Sequence, residues 1–116
     1  MTTGERGETI AADYLTQQGF TVLRRNYHTR YGEIDIICAD AQYLVFAEVK
    51  TRSSRAFGAP CEAVTVSKQR KIIRAAQQWL LEHPTDLQPR FDVAEVQIFR
   101  DDVHIHLIPN AFEVQE

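Results

Sequence analysis

Two apolar runs dominate the chain, Ile34-Asp35-Ile36-Ile37-Cys38 and Leu44-Val45-Phe46-Ala47-Glu48-Val49, and a carboxylate interrupts each. Their length and β-branched content predict buried strands. Ala39-Asp40-Ala41-Gln42 between them has the length and polarity of a hairpin connection. A turn centred between Ala41 and Gln42 sets Asp35 opposite Glu48, Ile37 opposite Phe46 and Ile34 opposite Val49. Opposed residues share a sheet face, with Cβ atoms roughly 4.5–5.5 Å apart. Lys50 lies two residues beyond Glu48 and projects from that same face. A slip of one residue would separate the three, so the register is a definite commitment. Both hairpin faces are mostly apolar, which predicts a central sheet covered on both sides.

The remaining pattern supplies the covers. Thr2 and Glu5 have capping-box spacing and Gly19 is a natural stop, predicting a helix over about 4–18 with Gly7, Ile10, Ala11, Tyr14 and Leu15 inward. A strand over 20–27 leads into a basic loop over 24–30, and residues 53–60 read as a polar loop. Ser67 is the expected cap of a second helix that runs to about Glu82, before Pro84, with Ile72, Ile73, Ala76, Trp79 and Leu80 inward. At that spacing Trp79 reads as core. A second hairpin is expected from strands over 90–99 and 102–108. The whole, residues 1–116, is one α/β domain, a mixed central sheet flanked by helices in the order αβββαββ.

Composition changes this picture little: 44% hydrophobic and 25% charged residues are ordinary for a globular domain. No apolar run approaches the roughly 20 residues of a membrane span, so no membrane partner is expected. The first residues lack a signal-peptide pattern. Cys38 and Cys61 are isolated and form neither a disulfide framework nor a zinc motif. A cytoplasmic location is expected.

Charge changes it more. The chain carries −3 overall, yet residues 24–74 hold ten of the thirteen Lys/Arg and five of the sixteen acids. That segment is +5 and the remainder −8. Arg24, Arg25, Arg30, Arg52, Arg55, Lys68, Arg70, Lys71 and Arg74 form the footprint expected for a polyanion such as DNA. With Ser67 as cap, Lys68, Arg70 and Lys71 fall in the first turn of the second helix. Cations there oppose the helix dipole at about 0.3–1 kcal/mol each. A bound phosphate would offset that cost; a solvated face is the plainer alternative.

Burying an unpaired carboxylate is costly, so Asp35 and Glu48 on apolar strands ask for a shared partner, and a divalent metal serves both. A structural Glu48–Lys50 ion pair is the competing explanation. Glu8, on the edge of the first helix, reads equally as a solvated residue or as a third carboxylate aimed at this pair. His104-x-His106 on a strand lacks further ligands and is not taken as a metal site. Asp92, in Arg90-Phe91-Asp92-Val93, reads as salt-bridged to a neighbouring arginine.

Gly7-Glu8 with Ala11-Ala12, Asn26-Tyr27, Gly32-Glu33-Ile34-Asp35-Ile36-Ile37, Phe46 through Arg52, Lys68, Trp79-Leu80, Phe91-Asp92-Val93 and Asn110-Ala111-Phe112 together resemble the bacterial YraN family. The element order with Asp35 and Glu48-Val49-Lys50 resembles the PD-(D/E)XK nuclease superfamily, and within it the archaeal Holliday-junction resolvases. Ile34 stands where that superfamily often has proline. The resemblance implies a restriction-endonuclease-like core. It also implies Mg²⁺ (or Mn²⁺) held by Asp35, Glu48 and the Val49 carbonyl, and catalytic roles for Glu8, Asp35, Glu48 and Lys50. The expected function is metal-dependent cleavage of phosphodiesters in structured or branched DNA, by a chain for which a homodimer would help to span the substrate. The alternative is an inactive nucleic-acid-binding protein that retains the nuclease fold.

Overall fold

A computed structural model describes residues 1–53 and 64–114. The elements run α1 (Thr3–Gln17), β1 (Thr21–Thr29), β2 (Gly32–Ala39), β3 (Tyr43–Ser53), α2 (Val66–Glu82), β4 (Gln88–Phe99) and β5 (Asp102–Phe112). This is the expected αβββαββ order. The five strands form one sheet in the order β1-β2-β3-β4-β5. β3 and β4 are parallel; the other neighbours are antiparallel. The fold is thus a mixed-sheet α/β domain of restriction-endonuclease-like architecture. No helix among the described residues is long and apolar enough to cross a membrane.

Each helix covers one sheet face. Ala11, Ala12 and Leu15 of α1 pack on Ile36, Cys38, Val45, Ala47, Ala94, Val96 and Ile98. Ile72, Ala75, Ala76 and Trp79 of α2 pack on Ile37, Leu44, Phe46, Phe91 and Val93. Alternate positions of β3 serve opposite helices, which is why its sequence is apolar on both faces. The inward face of α1 differs by one position from expectation: Ala12 is buried and Tyr14 is not. The small alanines allow α1 to approach the sheet closely.

The β2–β3 register follows the sequence from Ile36 to Ala39, with Ile37 opposite Phe46, Ile36 opposite Ala47 and Ala39 opposite Leu44; the expected Asp35–Glu48 and Ile34–Val49 pairs fall beyond the ladder, because the Val49 N–H turns to the Asp35 side chain. Two other details depart from it. The cap of α2 is Thr65, whose Oγ1 accepts the Lys68 N–H at 3.2 Å, and not Ser67. The helix therefore begins earlier, and only Lys68 lies in its first turn; Arg70 and Lys71 fall in the second, where the dipole penalty has faded. The expected basic loop over 24–30 is largely strand: Arg24 and Arg25 are paired in β1, and the β1–β2 turn begins only at Arg30. Asn26 adopts φ 52°, a left-handed conformation that asparagine tolerates. Tyr27 next to it joins the α2-side core and meets Trp79 edge-on at 5.2 Å between ring centroids.

At the far strand end, the wholly buried Asp92 accepts two bonds from Arg90 at 2.9 Å each and one from the Asn110 N–H at 3.0 Å. This is the salt bridge expected from the sequence. The β4–β5 register shifts at the same point, between Phe91 and Val93. A buried charge held by three donors tolerates its low-dielectric site.

Candidate functional site

The ordered β2–β3 pairing ends at Ile36–Ala47. Just beyond, the Val49 N–H donates to Asp35 Oδ2 at 2.8 Å. A side chain thus takes a backbone donor where the ladder stops. Ile34 and Ile37, three residues apart, both join the α2-side core, whereas Ile36 joins the α1 side. The β2 alternation therefore slips around Asp35, where the two strands part. Extending the observed register brings Glu48 opposite Asp35, and both are buried, at 8% and 5% exposure.

Burial is the first cause that raises the Asp35 pKa, from 3.8 to about 7. The Glu48 charge is the second; the Val49 N–H bond opposes both, and the charges of Glu8 and Glu33 add to the rise. Asp35 and Glu48 are thus electrostatically one unit, and a negative charge on both is unfavourable without a cation.

Lys68 supplies one cation. Its Nζ lies 2.5 Å from Glu48 Oε1, with the lysine side chain 53% exposed and the glutamate 6%. That hydrogen bond is the main cause raising the Lys68 pKa, and the charges of Glu48, Asp35 and Glu33 act in the same direction. At this third position of α2 a capping box would carry Glu or Gln; the lysine is tolerated because its charge faces Glu48. Lys68, expected from sequence to bind DNA, therefore sits in the acidic site. Lys50 is half-buried two residues beyond Glu48, and its neighbour on β4 is Glu95.

Glu8 is placed by Gly7. A Cβ on Gly7 would stand 1.9 Å from Thr51 Oγ1 and 2.8 Å from Thr51 Cβ, so only glycine lets α1 lie this close to the end of β3. Glu8 is half-buried and its charge reaches Asp35. It does not complete a cage: among the described residues no group of three or more His, Cys, Asp or Glu could hold a metal ion together. The donors that fit a hard divalent cation are the two carboxylates and the Val49 backbone carbonyl, all oxygen, as Mg²⁺ and Mn²⁺ prefer. Cys38, wholly buried, is no nucleophile: burial first, then the Asp92 charge, pushes its thiol up to about 12.

The basic residues divide into groups. Arg30 donates to Tyr31 Oη at 2.7 Å, and the Arg74 guanidinium stands 5.8 Å from the same ring. Lys71 packs on Gly32, where an added Cβ would meet the Lys71 Cβ at 3.1 Å. Arg30, Lys71 and Arg74 thus converge on the β1–β2 turn, on the α2 side. Arg24 lies nearby over Tyr27 at 5.7 Å. Arg25 instead reaches Thr9 of α1 at 3.3 Å. Arg70 lines a groove with Ile73, Glu113 and Val114. Arg52 is half-buried near the end of β3. Ser53, expected to open the polar loop over 53–60, is the last residue of β3; the rest of that loop, with Arg55, and Cys61 lie outside the described residues. Sequence reasoning missed Glu33, whose charge acts on both Asp35 and Lys68; its place beside Asp35 in β2 was the available signal.

Fold and site together define a small α/β protein with a buried carboxylate pair at the splayed end of two central strands. The chain belongs to the UPF0102 family, described as "Uncharacterised protein family UPF0102", whose profile matches residues 7–96. A UPF0102 protein of Syntrophotalea carbinolica is 48% identical over 112 residues, covering 96% of this chain and 91% of that protein. A UPF0102 protein of Alkaliphilus oremlandii is also 48% identical over 112 residues, covering 94% and 96%. One from Clostridium botulinum (strain Loch Maree / Type A3) is 43% identical over 115 residues, covering 96% and 94%.

Proposed function

We propose that the protein is a metal-dependent endonuclease of the PD-(D/E)XK superfamily, similar to the archaeal Holliday-junction resolvases, acting on phosphodiesters in structured or branched DNA. The observation that carries this reading is the buried Asp35–Glu48 pair, with Lys50 two residues further along β3. The Glu48 charge beside buried Asp35 raises the cost of ionising Asp35, and carboxylates perturbed in this way cluster at functional sites.

Asp35, Glu48 and the Val49 carbonyl would hold Mg²⁺ or Mn²⁺. Such an ion supplies Lewis-acid polarisation of a phosphoryl oxygen and lowers the pKa of water. The chain's own groups do the rest. Val49 N–H fixes the Asp35 carboxylate, leaving its second oxygen for the ion. The Lys50 ammonium, protonated and without a lone pair, orients water and counters the charge that grows on the phosphoryl group. Glu8 adds negative charge that strengthens cation binding. Arg30, Lys71 and Arg74 hold flanking phosphates in the duplex arm. A homodimer would present two such sites to a four-way junction.

The second reading is a DNA-binding protein without turnover. The Lys68–Glu48 ion pair favours it, since it satisfies Glu48 with no metal. A cleavage panel on single-stranded, duplex, flap and four-way DNA, with Mg²⁺ or Mn²⁺, decides between them. Product with wild type and none with Glu48→Gln supports the nuclease. Binding without product under every metal and substrate leaves the binding protein.

A further inference from the structure

The lysine that occupies Glu48 is attached quite differently from the glutamate it holds. Glu48 is fixed in the central strand, 6% exposed; Lys68 reaches it from the surface with more than half of its side chain in water. The Lys68 backbone is pinned by the Thr65 cap, while its ammonium sits at the end of a flexible four-carbon stem more than half of which is exposed. Leaving Glu48 would return the ammonium to solvent without moving α2. Lys50 has no such freedom, being half-buried on β3.

Formal charge gives this mobility a use. With both ionised, the Asp35–Glu48 pair itself presents two negative charges, of which one ammonium balances one; Glu8 and Glu33 act on the pair as further negative charges. A divalent cation balances that pair and takes Glu48 as its ligand, and Lys68 is then surplus to the pair at the mouth of the site. A phosphodiester brings one negative charge, which matches the surplus.

We propose that Lys68 is an exchangeable counter-ion: it holds Glu48 in the resting protein, a divalent cation displaces it, and the released ammonium is received by a phosphate of the nucleic acid. The inference rests on the reading of Asp35 and Glu48 as a metal site and adds a residue that links metal loading to substrate capture. Metal and lysine compete for one carboxylate, so removing the lysine strengthens metal binding. Metal and phosphate cooperate through the lysine, so removing it weakens their coupling; linkage requires that this coupling be the same in both directions.

Two titrations of the full chain test this. In calorimetry with Mn²⁺ and no DNA, K68Q is expected to bind about two- to fivefold more tightly than wild type, the upper part of the range for an ion pair with an exposed partner. K68R, which keeps the charge, is expected to match wild type, and E48Q to lose binding. In fluorescence anisotropy with a four-way DNA, Ca²⁺ is expected to raise the affinity of wild type and K68R more than that of K68Q. K68M, which keeps the stem, replaces K68Q if thermal melts show that K68Q is unfolded. Equal or weaker Mn²⁺ binding by K68Q, with E48Q still deficient, overturns the exchange and leaves the metal site standing. An equal Ca²⁺-dependent gain in wild type and K68Q overturns the handover to phosphate. Failure of wild type and K68Q alike to bind Mn²⁺ removes the metal reading and the exchange together.

Discussion

Replacing Asp35 by asparagine should stabilise the metal-free protein at alkaline pH. The folded protein holds the Asp35 proton more tightly than the unfolded chain, with a pKa of about 7 against an ordinary 3.8. Its contribution to stability is therefore complete below the unfolded value and is lost as pH climbs through the folded one. That displacement corresponds to about 4 kcal/mol, at roughly 1.36 kcal/mol for each pH unit. Glu48 and Lys68 share the charge and relax with it, so about 2 kcal/mol is the working figure. Asparagine matches the size of aspartate, can accept the Val49 N–H and carries no charge to desolvate. Thermal melts followed by circular dichroism in EDTA from pH 4.5 to 8.5 should show the variant gaining on wild type, by roughly 8 °C at the alkaline end for a domain of this length. Saturating Mn²⁺ should reverse the order, because only wild type gains binding free energy. A variant no more stable than wild type at pH 8.5, or a difference of the same size at both pH limits, would refute the reasoning.

Lys50→Ala is expected to keep Mn²⁺ and DNA binding and to lose cleavage, so that single-turnover rate falls while binding stays within about twofold of wild type; cleavage at the wild-type rate would make Lys50 structural. Arg30→Ala with Arg74→Ala should weaken DNA binding and flatten its salt dependence by about one unit of slope for each phosphate no longer neutralised, with little change in melting temperature; an unchanged slope would place the DNA elsewhere. Gly7→Ala should destabilise the fold by about 2 kcal/mol or more, as overpacking against a strand does, and Thr51→Ala should recover part of the loss, because it removes the two nearest clashing atoms but leaves Thr51 Cβ. Additive losses in the double variant, measured by urea unfolding, would mean that α1 does not rest on Thr51.

The β2–β3 hairpin was legible because both strands are buried on both faces, so that their apolar runs and the four-residue turn leave one register that buries them all. The expected Asp35–Glu48 pair lies just beyond the end of that ladder, where the strands part, yet the Glu48 charge still acts on Asp35. The cap of α2 was not legible: Thr65 and Ser67 are both good caps, and the choice depends on how the chain arrives from β3. The same arrival decides what Lys68 meets. Its partner lies twenty residues earlier in the sequence, and local pattern gives no reason to pair a helical lysine with a strand glutamate. The left-handed backbone at Asn26 was not anticipated, and the place of Tyr27 beside it depends on Trp79, brought in by α2. Local periodicity thus located the carboxylates, and the long-range crossover determined their cation.

The parallel β3–β4 joint at the centre of the sheet has a consequence for the folding pathway. β1 to β3 can assemble by successive hairpins, and β4 with β5 by another, whereas β3 meets β4 only after the long crossover through α2 has closed. Non-local pairing of this kind is slow because the closure entropy is spent before the strands begin to hold each other. Until then the apolar stretches Leu44–Ala47 and Phe91–Ala94 present open strand edges, the usual starting point of aggregation. Asp92 interrupts the second of these with a charge that has Arg90 two residues away. In the folded protein this pair is a buried salt bridge; in the half-assembled one it is a gatekeeper that discourages the central strand from pairing with a stranger before β3 arrives.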